Sequence, residues 1–159
     1  MVLQLRELSK YLKSVNNVLK EVPKILYFSD VSIESTFHGS AVLYRIFSSW
    51  KSDKLFIIEP NFATSKHAYR LPNITYKTCY YCNARLIHSR FAKLYGTYVM
   101  ATAKNRHKQI KNHIQNFRPE AVVTVSHGYT WAAAACFAHY NRIPLHIICH
   151  DDLPNTANV

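Results

Sequence analysis

Four short apolar runs along the chain stop at polar or turn residues, as the strands of a buried parallel sheet do. These runs occupy residues 24–29, 54–59, 121–126 and 145–149. A fifth run, at 74–82, has a weaker strand pattern. We therefore predict five strands.

Between these runs, apolar residues recur at spacings of three and four, which is typical of amphipathic helices. One helix is predicted at 41–50, and two more between residues 84 and 117, divided near Gly96. The alanine-rich segment 131–138 predicts another, because alanine is the strongest helix former. The residues expected to face the core are Val42, Leu43, Ile46 and Phe47 in the first helix, Ile87, Phe91, Leu94 and Tyr98 in the second, and Ile110, Ile114 and Phe117 in the third.

The alternation of strands and helices predicts the fold class. It favours an α/β fold with a doubly wound, Rossmann-like parallel sheet in three α/β/α layers. A length of 159 residues suits one domain with a substantial core. We assign residues 24–159 to this domain and residues 1–23 to an N-terminal amphipathic helix that Pro23 ends.

The formal charge of +11 comes from the middle of the chain. No acidic residue occurs between Glu59 and Glu120, and the eleven basic residues of that interval account for the whole excess. A one-sided field of this kind attracts phosphorylated substrates, anionic lipid headgroups or nucleic acid, although a solvated basic face is the simpler interpretation. The cations expected to contact an anionic partner or membrane are Arg85, Arg90, Lys93, Lys104, Lys108 and Lys111.

Residues with useful chemistry follow three of the predicted strands. Gly39-Ser40 opens the helix after the first strand, His127-Gly128 follows the fourth, and His150-Asp151 follows the fifth. The carboxyl ends of parallel strands share one edge, where open α/β folds bind ligands. A glycine at a helix N-terminus lets backbone N–H groups approach a phosphate, and a histidine beside a carboxylate suits sugar contacts or proton transfer. The simpler interpretation is that these residues serve turns and strand ends.

Several other classes of site are disfavoured. With three glycines and no G-x-G-x-x-G or P-loop motif, the chain does not suit conventional dinucleotide or ATP binding. Cys79 and Cys82 form a C-x-x-C pair, but Cys136 and Cys149 lack the spacing of a second pair, so we predict no metal site and reduced thiols. The sequence has neither a spanning apolar run nor a signal-peptide core, which predicts a cytoplasmic protein.

The order of these features resembles the N-terminal domain of GT-B glycosyltransferases of the family 4 type. The resemblance rests on a strand that ends at Asp30, on Gly39 at the start of a helix, on 117–123, on His127-Gly128 and on 143–151. It spans residues 24–152 and is strongest towards the C-terminal end. Members of this family are retaining enzymes that move a sugar from a nucleotide-sugar donor to an acceptor.

The resemblance also implies roles for individual residues. It implies that Gly39 and Ser40 lie by the donor diphosphate, with His38 in place of the first glycine of the family's usual pair. His127 and Gly128 would face the interdomain cleft, and His150 with Asp151 would lie near the transferred sugar. The basic, aromatic middle of the chain falls where such enzymes accept a glycan or lipid or touch membranes.

The resemblance covers one of two domains, because such enzymes also need a Rossmann-like C-terminal domain with the nucleotide-sugar pocket and an E-x7-E motif. We therefore predict a fragment or truncated product with little or no activity alone, and no cofactor besides the nucleotide-sugar substrate. The alternative is a basic α/β binding module for nucleic acid or for an anionic membrane to which the protein is peripheral.

Overall fold

The computed structural model describes residues 22–36, 38–81, 83–87 and 89–149. Its strands form a single all-parallel sheet with the order β3-β2-β1-β4-β5. The strands are β1 Ile25–Phe28, β2 Leu55–Pro60, β3 Thr75–Cys79, β4 Ala121–Val125 and β5 Leu145–Ile148. This arrangement confirms the predicted α/β fold, and the strand order is the one found in dinucleotide-binding Rossmann folds.

Helices provide most of the crossovers between the parallel strands. They are α1 His38–Phe47, α2 Ala84–Ile87, α3 Ala92–Ala101, α4 Ala103–Ile114 and α5 Thr130–Asn141. The connection from β2 to β3 contains only a 3-10 turn, His67–Tyr69. The last helix ends at Arg142, whose left-handed backbone (φ 55°) lets its N–H bond to the carbonyls of Ala138 and His139.

Two apolar clusters cover the two faces of the sheet and give the fold its three layers. On one face, Val99, Ile110 and Phe137 from α3, α4 and α5 pack against the strands. On the other face, Leu43 and Phe47 from α1 pack with residues of the loops. The strands β1, β2 and β4 are buried along their whole length because both of their faces are covered.

The predicted apolar face of the first helix is half correct. Leu43 and Phe47 are buried, but Val42 and Ile46 are 49% and 48% exposed. The observed helix begins at His38, so Gly39 and Ser40 lie in its first turn rather than ahead of it.

For the second helical pattern, the predicted position of the break between helices and the predicted buried face of the helix were both wrong. The break between helices falls at Thr102, while Gly96 is buried in the middle of α3 beside the ring of Tyr129. Three of the residues expected in the core are exposed instead: Phe91 50%, Leu94 74% and Tyr98 56%. The buried face of α3 is formed by Gly96 and Val99, because Tyr129 needs the space that a glycine leaves.

The prediction for the third pattern is confirmed at its centre. Ile110 and Ile114 of α4 are buried, and Phe117 packs against Phe56 with ring centroids 5.3 Å apart. The predicted N-terminal helix falls on residues outside the described part of the chain, apart from Val22 and Pro23, which are not helical.

Candidate functional site

The loops after β1 and β4 meet at the point where the strand order reverses direction. From β1 the chain continues to β2 on one side of the sheet, and from β4 it continues to β5 on the other. The two strands pair through Ile25, Leu26 and Tyr27. Their carboxyl ends therefore lie side by side, and in open α/β sheets this is where a ligand crevice forms.

Asp30 joins these two loops. Its Oδ2 accepts hydrogen bonds from the backbone N–H groups of Tyr129 (2.6 Å) and Thr130 (3.3 Å), 99 and 100 residues further along the chain. Thr130 is the first residue of α5, so the carboxylate occupies the positive end of that helix. Ser29 adds a second link, since its Oγ accepts from the N–H groups of Val31 and Val125.

Burial raises the pKa of the Asp30 carboxyl above its ordinary value. The hydrogen bonds from Tyr129 and Thr130 and the nearby imidazole of His127 act in the opposite direction and offset part of the effect of burial. Oδ1 is buried and accepts no hydrogen bond from the described residues. The charged form of this carboxyl is therefore costly to hold in the fold.

This cost makes the contribution of Asp30 to stability depend on pH. An acid whose pKa is higher in the folded state favours folding below its unfolded pKa, and that advantage is lost as pH rises through the folded value. Asp30→Asn removes the titration, so the stability of the wild type relative to this variant should decrease from acidic to neutral pH. Urea unfolding of both proteins across that range measures the difference.

The matched control is Asp53→Asn, because Asp53 is an exposed carboxylate in a turn. A pH-dependent difference between the wild type and Asp30→Asn no larger than the difference for Asp53→Asn would contradict the assigned effect of burial.

Gly128 has the backbone conformation that the turn after β4 requires. Its φ of 62° lies in the left-handed region, and a Cβ at this position would stand 2.7 Å from Cγ of Asp30 and closer still to Oδ2. Gly128, which the sequence analysis predicts to contact a ligand, therefore has a structural role, because the absence of a side chain leaves room for the Asp30 carboxylate. His127, beside it, is exposed at the same edge of the sheet.

Gly39 and Ser40 lie in the first turn of α1, which follows the β1 loop. Apart from its chain neighbours and the backbone of α1, no atom of the described part of the chain lies within 4 Å of the position that a Cβ on Gly39 would occupy, so Gly39 is open to a ligand on that side. Ser40 is buried. The helices that follow β1 and β4 therefore differ: a carboxylate already occupies the N-terminus of α5, whereas Gly39 leaves an open approach at the start of α1.

A second polar cluster lies at the ends of β1 and β2 and was missed by the sequence analysis. Glu59 is buried, forms an ion pair with Arg70 at 2.9 Å and accepts hydrogen bonds from the N–H and hydroxyl of Ser65. Glu34 is also buried and accepts from Thr36 and from the N–H of Lys66. These bonds hold the long β2–β3 connection against the sheet, and the isolated acid at the end of an apolar run was the available signal.

The six predicted anion-binding cations are all exposed. Lys104, Lys108 and Lys111 follow the spacing of one face of α4, while Arg85, Arg90 and Lys93 lie on or beside α2 and α3. Arg106 differs from them: its guanidinium donates to the carbonyl of Tyr81 and stacks on the Tyr81 ring at 5.1 Å. The cations therefore divide between two helical surfaces.

His150 and Asp151 lie outside the described residues, so their predicted roles stay predictions. Cys79 is buried at the end of β3, and its predicted pair partner Cys82 is also outside the described part. Within residues 22–36, 38–81, 83–87 and 89–149, no three His, Cys, Asp or Glu side chains are grouped as they would be to hold a metal ion.

Comparison with known proteins gives no assignment, because no family model, curated protein or solved structure matches the chain. None of the helices in the described part of the chain has the length and apolar character needed to cross a bilayer.

Proposed function

We propose that this chain is the N-terminal, acceptor-side domain of a retaining glycosyltransferase. The donor would be a nucleotide-sugar and the acceptor a glycan or a lipid. The observation that carries the proposal is the junction of the β1 and β4 loops at the switch point of a β3-β2-β1-β4-β5 sheet. This is the edge at which the resemblance to family 4 GT-B enzymes requires the donor to lie.

The difference between the two helix N-termini supports an orientation for the donor. A diphosphate is repelled by the Asp30 carboxylate at the start of α5 and attracted by the open first turn of α1. Gly39 and Ser40 would thus bind the diphosphate through backbone N–H groups, while His127 and Gly128 line the cleft. The resemblance implies that His150 and Asp151 lie near the transferred sugar, and we propose them as the catalytic residues.

Such an enzyme brings its two substrates together in a cleft between its two domains, so this domain alone should have little activity. The test compares nucleoside diphosphate release from a panel of nucleotide-sugars by this chain and by a longer chain extended past Val159. We expect turnover only from the longer chain. The transferase proposal would be rejected if neither chain turned over any nucleotide-sugar of the panel and the short chain bound DNA in a salt-sensitive manner.

Gly39→Ala gives a sharper version of this test. A methyl group at Gly39 would meet no atom of the described residues beyond its chain neighbours and the backbone of α1, so the fold should be kept, while the group would stand where the diphosphate approaches. Loss of one good phosphate hydrogen bond predicts a decrease of about tenfold in kcat/KM of the longer chain. An unchanged kcat/KM in a folded variant would remove Gly39 from the site.

The second candidate is a basic binding module, favoured by the exposed stripe of Lys104, Lys108 and Lys111 on α4. The two candidates are compatible if the anionic partner is a membrane, since a lipid acceptor would be found there. We propose that the protein is peripheral to the inner face of a membrane. Each lysine close to an anionic membrane surface contributes roughly 1 kcal/mol of attraction to the headgroups.

A further inference from the structure

One face of α3 is exposed along the whole helix. The exposed residues are Lys93, Leu94, Thr97, Tyr98 and Ala101, and their spacing places them on one continuous side. Gly96 and Val99, on the opposite side, are buried. Leu94 and Tyr98, which the sequence pattern places in the core, therefore face outward, while Tyr95 and Val99 pack against the core.

The apolar part of this surface is concentrated. Leu94, Phe91 and Tyr98 are all at least half exposed, and Leu86 of the neighbouring helix α2 is exposed as well. Single exposed apolar residues are ordinary, but four of them on and between two helices that contact each other are typical of an interaction site. These exposed apolar side chains therefore favour a binding partner that has an apolar surface of its own.

The same surface carries cations. Arg90 and Lys93 are exposed, and the Arg90 guanidinium lies 4.9 Å from the centre of the Phe91 ring. Arg106 lies 5.8 Å from the Tyr98 ring. With no acidic residue between Glu59 and Glu120, no carboxylate of this interval neutralises them. The charge of this surface therefore favours an anionic partner.

We propose that this surface, defined as Leu86, Arg90, Phe91, Lys93, Leu94 and Tyr98 and called the α3 surface, docks on an anionic lipid bilayer. Leu94 and Phe91 enter the boundary between headgroups and acyl chains, while Arg90 and Lys93 bind the headgroups. The inference deepens the peripheral membrane contact proposed above by naming the surface responsible, and it is independent of the nucleotide-sugar proposal.

A bilayer fits the α3 surface better than single-stranded nucleic acid does. Single-stranded nucleic acid is bound mainly through cations and stacked aromatic rings, so an exposed aliphatic side chain such as Leu94, the most exposed of the group at 74%, contributes less to such a complex. A lipid interface supplies anionic and apolar layers within a few ångströms of each other. The aliphatic side chains thus decide between these partners.

The test is cosedimentation of the full 159-residue chain with phosphatidylglycerol–phosphatidylcholine vesicles and with vesicles of phosphatidylcholine alone. We expect binding to the anionic vesicles that weakens with salt, and little binding to the neutral ones. Leu94→Ser should weaken vesicle binding by about tenfold, because it removes one large apolar side chain from the interface. Lys93→Ser should weaken it by about fivefold.

The matched controls lie on α1 and just beyond it. Ile46→Ser replaces an apolar residue that is 48% exposed on the other side of the sheet, and Lys51→Ser removes an exposed cation there. Both should leave vesicle binding unchanged. All four variants replace exposed side chains, and equal thermal midpoints would verify that they fold.

Three results would overturn the proposal. Equal binding to both kinds of vesicle would remove the role of charge. The second result is that Leu94→Ser and Ile46→Ser have equal effects, while vesicle binding is lost when Lys104, Lys108 and Lys111 are all replaced by Ser. The protein would then bind membranes through α4 and not through the α3 surface. Binding to single-stranded RNA or self-association that depends on Leu94, without vesicle binding, would assign the surface to that partner.

Discussion

Gly128→Ala is expected to lower the free energy of unfolding by about 3 kcal/mol. A residue with a Cβ in the left-handed region costs roughly 1–2 kcal/mol, and the new methyl would also displace the Asp30 carboxylate from the N–H groups of Tyr129 and Thr130, at about 1–3 kcal/mol. Chemical denaturation of the variant and the wild type measures the loss.

A double-mutant cycle separates the two causes. In an Asp30→Ala background the carboxylate is gone, so Gly128→Ala should cost only the roughly 1–2 kcal/mol of backbone strain. Gly39→Ala is the matched control, because among the described residues a methyl there meets no atom beyond its chain neighbours and the backbone of α1, and its φ is not positive. The same cost for Gly128→Ala in both backgrounds would show that the contact with Asp30 is not responsible.

Gly96→Ala is expected to destabilise the protein by about 2 kcal/mol, against the usual trend. In a helix interior this change normally stabilises by up to about 1 kcal/mol, because alanine is the better helix former. Here the methyl would stand 2.6 Å from Cζ of Tyr129 and closer still to its hydroxyl, so the ring would have to move. Overpacking of this kind costs roughly 1–3 kcal/mol, and the displaced loop adds to it.

The sign of the effect gives a direct check by thermal and urea unfolding. In a Tyr129→Ala background the space beside Gly96 is open, and Gly96→Ala should then stabilise by up to about 1 kcal/mol. Destabilisation of equal size in that background would mean that the contact with Tyr129 is not the cause.

The strands β1, β2 and β4 could be predicted from sequence because each is a continuous apolar run buried on both faces. The predicted runs 24–29, 54–59, 121–126 and 145–149 differ from the observed strands by at most one residue at either end, whereas the weaker run 74–82 extends three residues past the end of β3. The surface of α3 could not be predicted. Periodicity shows that a helix has an apolar side, but only the packing decides whether that side faces the core, and Val99 with Gly96 does so instead of Leu94.

The meeting of the β1 and β4 loops at one sheet edge could also be predicted, because parallel strands place their carboxyl ends together. The role of Asp30 could not, since its partners are 99 and 100 residues away and are backbone groups without a sequence signature. The role of Gly96 could not be predicted either, because a local pattern records the missing side chain but not the Tyr129 ring that fills the space.

Tyr129 has a position that affects how the site responds to a ligand. Its N–H bonds to Asp30 after β1, its carbonyl accepts from the Tyr81 hydroxyl after β3, and its ring lies against Gly96 of α3. A residue fixed to three elements has little conformational entropy left to lose. A ligand that binds at this edge therefore contacts a loop that is already ordered, so little of its binding free energy is lost in ordering that loop.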